Sequence, residues 1–134
     1  MMDDQRKFLI LGSAFGITAV ILGAMGAHAL KEILTEEALA SFETGVKFQM
    51  YHALLFLFLG VENRLEGKLK TIIFYLLLVG ILFFCFSIYL LATNNYTNFD
   101  FKQIALITPI GGTLLIIGWF TMFIGFLKKK KNKV

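Results

Sequence analysis

The sequence predicts an all-α integral membrane protein: a four-transmembrane-helix bundle with a short interfacial helix between helices 1 and 2. Three observations lead there. Of the 134 residues, 57% are hydrophobic and only 16% charged, where a soluble domain carries about a quarter charged. The apolar surplus is gathered into four long runs, which suits lipid rather than a large soluble core. Lys and Arg are concentrated on alternate sides of those runs, as in a multi-pass protein. The length allows one domain, 1–134, with spans at about 8–30, 43–61, 72–92 and 104–127 and a polybasic tail at 128–134.

The first run, Phe8 to Leu30, is 23 residues long and spans with some tilt. Ala27-His28-Ala29 after the basic pair Arg6-Lys7 has the look of a signal-peptide cleavage pattern. The run exceeds the ~7–15 residues of a signal h-region, so a retained helix is expected. Gly12, Gly16, Gly23 and Gly26 let another backbone approach closely, and mark this helix as the expected packed centre of the bundle.

Lys31 to Phe42 is polar and amphipathic. Thr35 can cap a helix, with Glu36 and Glu37 in its first turn against the positive end of the dipole. This stretch reads as a short interfacial helix or as the start of the next span. Counting decides where the second span begins. Met50 to Val61 holds 12 residues, too few to cross, and Glu62–Lys70 is plainly polar. The span must therefore begin near Glu43, and 19 residues at a ~1.5 Å rise cover roughly 28 Å. On that register Lys47 lies just under the surface and His52 near the middle.

Ile72 to Ala92 is a third span of 21 residues, bulky and apolar all round, so a lipid-facing helix is expected. Its polar-capable groups are Tyr75, Cys85, Ser87 and Tyr89. A turn-rich loop follows. The fourth span starts at Ile104 or Thr108. Thr108-Pro109 fits an N-cap followed by proline at the first helical position, with a kink at Pro109 inside a longer helix as the alternative. Gly111, Gly118 and Gly125 recur every seven residues and predict contact with the glycines of the first helix.

The N-terminus, the Glu62–Lys70 loop and the tail carry ten Lys/Arg; the opposite side carries three, Lys31, Lys47 and Lys102. Both termini are therefore expected in the cytoplasm. The formal charge of +4 does not point to nucleic acid, because five lysines sit in the tail beside a span, where contact with anionic lipid headgroups is the expectation. The single Cys85 forms no intramolecular disulfide and leaves the redox compartment unread.

The stretch Gly23–Leu54 contains both histidines and four of the nine acidic residues. Glu43, Lys47 and Tyr51 share one helical face; His52 shares another with Phe48 and Gln49. His28 ends the first run, with Glu32 a turn beyond. A polar cluster of His28, Glu43, Lys47, Gln49, Tyr51 and His52 could converge in the outer half of the bundle. Ionisable residues within spans are costly and mark functional sites by default. Against that stand interfacial pairing of Glu43 with a snorkelling Lys47, and histidines that only bond backbone carbonyls to lock helices together. Two His and a Glu could ligate zinc, and bis-His haem between two helices has precedent in bundles, but neither spacing is diagnostic. The sequence has no His-Glu-x-x-His, Cys pair, phosphate-cradling glycine loop or Ser-centred elbow. The expectation is no metal, no cofactor and no catalytic residues.

GAMGAHALKEIL, ASFETGVKFQMYHAL and TPIGGTLLIIGW, in that order, resemble the small membrane proteins of domain-of-unknown-function family 423, to which animal transmembrane protein 256 also belongs. The resemblance covers essentially the whole chain, departing at Met25 and Phe48. It implies a multi-pass protein of the bacterial cytoplasmic membrane and no established reaction, substrate or cofactor. It maps the family signature onto Gly26, His28, Glu43, Lys47, Gln49, Tyr51, His52, Pro109, Gly111 and Gly112. The expected role is a non-enzymatic structural or accessory subunit acting through helix–helix contacts, with a homo-oligomer or another membrane protein as partner. The alternatives are a small oligomeric transporter or channel using the Glu/Lys/His cluster, and a metal or haem protein.

Overall fold

The computed structural model describes residues 3–96 and 100–129. Helix α1 is Asp4–Ala27, α2 Glu36–Val61, α3 Gly67–Ile81, α4 Ser87–Ala92 and α5 Ile107–Leu127. A π turn, Leu82–Phe86, joins α3 to α4 without a break, so these form one continuous third span. Four helical segments are long and apolar enough to cross a membrane. Tail residues 130–134 lie outside the described residues, as does the 97–99 part of the loop before α5.

Local chemistry sets the element ends. Thr35 caps α2, its hydroxyl accepting from the Ala38 amide at 3.1 Å, with Glu36 and Glu37 in the first turn. The residues expected as a separate interfacial helix form one 3₁₀ turn, Leu30–Glu32, and the opening turns of α2. The helix continues because nothing between Thr35 and Val61 breaks it. At its far end the Glu62 carboxylate accepts from the amides of Arg64 and of Leu65, the latter at 3.0 Å. Lys70 is buried beneath this turn, its ammonium donating to the Glu62 carbonyl at 2.6 Å and lying 5.6 Å from the Phe8 ring centre. Gly67 opens α3 with φ +63, a conformation that side chains with a Cβ adopt rarely.

α5 begins two residues earlier than the Thr108-Pro109 pattern predicts. Leu106 is the cap and Pro109 falls in the first turn, where its missing N–H has no intrahelical acceptor to lose, so no kink follows. Thr108 has a different task. Just beyond the π turn, Ser87 Oγ reaches the carbonyls of Phe83 at 2.5 Å and Phe84 at 3.0 Å. With its single proton spent there, Ser87 accepts from Thr108 Oγ1 at 2.6 Å. The bond ties the third span to the start of the fourth.

The centre of the bundle is α2, not α1. The apolar window of α1 is the least buried of the four at 17%, that of α2 the most at 44%. The glycines of α1 serve one neighbour only. A Cβ at Gly12 would meet the Ala53 carbonyl oxygen at 2.9 Å, at Gly23 Val46 at 3.5 Å and at Gly26 Phe42 at 3.3 Å; Gly16 has Ala53 Cβ at 4.0 Å. All four face α2, and the rest of α1 exposes Ile17, Val20 and Ile21. The α5 glycines do not reach α1 as predicted. Gly111 lies on the backbone of Gly80, Phe83 and Phe84, Gly118 on Leu77, and Gly125 on Leu65 and Leu69. α5 thus pairs with the third span, and α1 with α2. A small-residue stripe permits close approach but does not name its partner.

The third span is also less lipid-facing than its all-round apolarity predicts. Ile73, Leu77, Ile81, Cys85 and Tyr89 recur every four residues and form a buried stripe. Near the chain-terminal end, Phe8, Phe56 and Phe74 pack edge to face, with ring centres 5.0 Å apart for Phe8–Phe74 and 5.9 Å for Phe56–Phe74.

Candidate functional site

The helical period divides the predicted polar cluster into two. Gln49 and His52 lie on the buried side of α2 with Gly45, Ala53 and Phe56. Glu43, Lys47 and Tyr51 keep the common face read from their four-residue spacing, but that face is exposed, and His28 is exposed at the C-cap of α1. The structure therefore does not bring His28, Glu43, Lys47 and Tyr51 together with Gln49 and His52. Residues 43, 47 and 51 are turned about 100° or more from 45, 49 and 52, and the latter face the third span at Gly45, α1 and the third span at Gln49, and α5 at His52.

Gln49 is the junction of three spans. Its amide nitrogen donates to the Phe15 carbonyl at 3.0 Å and to Thr18 Oγ1 at 2.7 Å. Its amide oxygen accepts from the Tyr89 hydroxyl at 2.7 Å. Thr18 passes its own proton to the carbonyls of its helix, that of Ala14 at 2.9 Å. One turn along α2, Cys85 Sγ donates to the Gly45 carbonyl at 3.3 Å. The close approach at Gly45, where a Cβ would meet Tyr89 at 2.7 Å, lets the phenol reach Gln49.

His52 links α2 to α5. Trp119 Nε1–H can only donate, and it does so to His52 Nε2 at 3.1 Å. Nε2 must then carry a lone pair, so the ring is neutral with its proton on Nδ1, which donates to the Phe48 carbonyl at 2.7 Å. The two rings meet edge to face with centres 6.0 Å apart. Both imidazole nitrogens are thus engaged by the protein itself. Among the described residues, no three His, Cys, Asp or Glu side chains converge as metal ligands would. Among them too, every buried side-chain nitrogen and oxygen has a hydrogen-bond partner. An open cleft of about 570 Å³ lies elsewhere, between the start of α2, α4 and the approach to α5, lined by Thr35, Glu37, Ser41, Asn94, Lys102 and Thr108.

The family model described as "Protein of unknown function (DUF423)" matches residues 22–112. The chain belongs to this family. The match covers α2, the third span and Pro109–Gly112, and with them Gln49, His52 and Tyr89. Among relatives, a "UPF0382 membrane protein" of Haemophilus influenzae is 36% identical over 94% of this chain and 98% of its own length. A UPF0382 membrane protein of Staphylococcus saprophyticus is 38% identical over 92% of this chain and 99% of its own. The UPF0382 membrane protein YwdK of Bacillus subtilis is 35% identical, over 92% and 98%. No solved structure matches the chain at a significant level. With four candidate spans and family members named as membrane proteins, the chain is a multi-pass, all-α membrane protein.

Sequence reasoning missed Thr18, Tyr89 and Trp119 as members of the site. Single hydroxyls and one indole in apolar runs carry no spacing signal, and only the packing selects them. Trp119→Phe should isolate the indole bond. The ring stays but the donor to His52 goes, and stability in detergent should fall by about 1 kcal/mol. His52→Ala in a Trp119 background should shift the fluorescence of this single tryptophan to shorter wavelength as its N–H loses an acceptor. Unchanged emission would argue against the bond.

Proposed function

We propose that the protein is a non-enzymatic structural or accessory subunit of the bacterial cytoplasmic membrane, acting through helix–helix contacts. The observation that carries this reading is the closed polar seam. Gln49 and His52 spend their hydrogen-bonding capacity on Phe15, Thr18, Tyr89, Phe48 and Trp119, all within the chain. A transport or catalytic centre needs groups free to bind a substrate or relay a proton; a bolt between helices needs them saturated. In this reading both termini are cytoplasmic, supported by the ten-to-three distribution of Lys and Arg. The lysine tail then meets anionic headgroups of the inner leaflet.

Reconstitution tests it. Liposomes containing the purified protein should leak protons and monovalent cations no faster than empty ones under an imposed gradient. A protein-dependent flux abolished by His52→Ala would replace the accessory role with a channel or transporter.

A further inference from the structure

Glu43 and Lys47 present opposite charges on a lateral face of α2 within the apolar part of the bundle. Both are exposed, and Thr44, Tyr51, Leu54 and Phe58 continue the same face along the helix. Contacts with α1 fix their level. Phe42 lies against Gly26 and Val46 against Gly23, and the α1 side chains exposed at that height include Ile21 and Met25. The two charges therefore lie level with the last two turns of α1, where its exposed side chains include apolar Ile21 and Met25. Among the described residues, no ion pair joins the Glu43 carboxylate to the Lys47 ammonium. A charge on a lipid-facing helix costs ~2.5–3.5 kcal/mol at mid-span, falling toward the interface, and such groups normally face protein.

We propose that this face is where a second copy of the chain docks, α2 against α2, about a two-fold axis along the membrane normal. The occupant follows from the charge pattern. Two copies inserted with the same topology place their α2 helices parallel, each residue at the height of its counterpart. Glu43 and Lys47 are one turn apart, ~6 Å along the axis, within reach of a lysine stem. Each Glu43 then meets Lys47 of the partner subunit, and the reverse pair forms by symmetry. The face thus contains both halves of its own complement, the requirement for an isologous interface. A foreign helix would have to carry the inverse pair at the same spacing. Thr44 is small and allows close approach beside the ion pairs, while Tyr51, Leu54 and Phe58 supply apolar contact further along. The α1 glycines are already filled by α2 and are not available to a partner. This inference rests on the helix–helix reading above and names its partner.

Cross-linking of the full chain in native membranes tests it. Leu54→Cys, which the helical period places between Glu43 and Lys47 and so nearest the axis, should form an interchain disulfide on mild oxidation, whereas Ile17→Cys on the exposed side of α1 should not; buried Cys85 sets the background. In the Leu54→Cys protein, Glu43→Lys or Lys47→Glu alone should reduce the dimer about tenfold by placing like charges across the axis. Together they should return it to the parent level. The charge variants lie on an exposed face, and an unaltered thermal unfolding midpoint in detergent verifies that the bundle persists. No dimer from Leu54→Cys in folded protein, or a dimer indifferent to the charge exchange, overturns the proposal. A photo-cross-linking residue at position 47 in cells separates the two readings. An adduct with a different membrane protein and no homodimer overturns the second copy as partner but leaves the accessory role; no adduct of any kind overturns both.

Discussion

Gly111→Ala should destabilise the bundle by about 2 kcal/mol, while Gly112→Ala beside it should be neutral or stabilise by up to ~1 kcal/mol. The contrast rests on what each new methyl group would strike. At Gly111 it meets the amide of Phe84, the carbonyl carbon of Phe83 at 2.8 Å and the Gly80 oxygen at 2.9 Å, all main chain. Main chain in a helix cannot rotate aside, so α5 must lift from the π turn. Lifting also strains Leu115 over Gly80, Gly118 over Leu77, and the Thr108–Ser87 bond. Overpacking of this kind costs up to ~3 kcal/mol, offset by about 1 kcal/mol because alanine favours helix over glycine. At Gly112 the nearest atom is Phe84 Cδ2 at 3.5 Å, an ordinary contact, so only the propensity gain remains. Titration from mild detergent into dodecyl sulfate, followed by circular dichroism, measures both. Equal midpoints for the two variants would mean that α5 does not press on the π turn.

That pair of glycines also marks the limit of what the sequence makes legible. The four spans follow from length and apolarity; counting back from Glu62 shows that the second helix must take in residues from about Glu43, and the helix itself begins earlier still, at Glu36. Thr35 with Glu36 and Glu37 announces its helix correctly. What the sequence does not carry is the direction each face turns. In water, an apolar stripe opposite a polar one points inward; in lipid, tails are as apolar as leucine, so both sides look alike. Hence the buried Ile73–Leu77–Ile81–Cys85 stripe is indistinguishable from exposed Ile72, Tyr75 and Phe83. Hence too the α5 glycines could be assigned to α1 when they fit the third span. The same ambiguity affects the polar residues. The spacing of Glu43, Lys47 and Tyr51 gives a common face and that of Phe48, Gln49 and His52 another. Which of the two looks into the bundle depends on where Gly12 and Gly45 admit a neighbour.

The Gln49 junction yields the second large effect, and a double-mutant cycle reads it. Gln49→Leu removes three hydrogen bonds and leaves the Tyr89 hydroxyl buried without its acceptor. Hydrogen bonds between spans average ~0.6 kcal/mol, but an orphaned buried hydroxyl adds about 1–3 kcal/mol, so a loss near 3 kcal/mol is expected. Tyr89→Phe alone keeps the ring against Phe42 and Gly45 and strips the donor from Gln49 Oε1, for about 1.5 kcal/mol. In the double variant the phenylalanine no longer has a hydroxyl to strand, so the combined loss should stay near ~3 kcal/mol, a coupling of about 1.5 kcal/mol. Strict additivity would show that the two groups do not share a bond. The cycle bears on function as well as stability. Gln49 touches α1 through Phe15 and Thr18 and the third span through Tyr89, so its removal loosens three spans together. If the buried polarity serves to hold a surface in shape, Gln49→Leu protein should keep its α2 cross-links at temperatures where the bundle survives and lose them on melting. Loss of those cross-links in a still-folded bundle would assign Gln49 a role beyond that of a bolt.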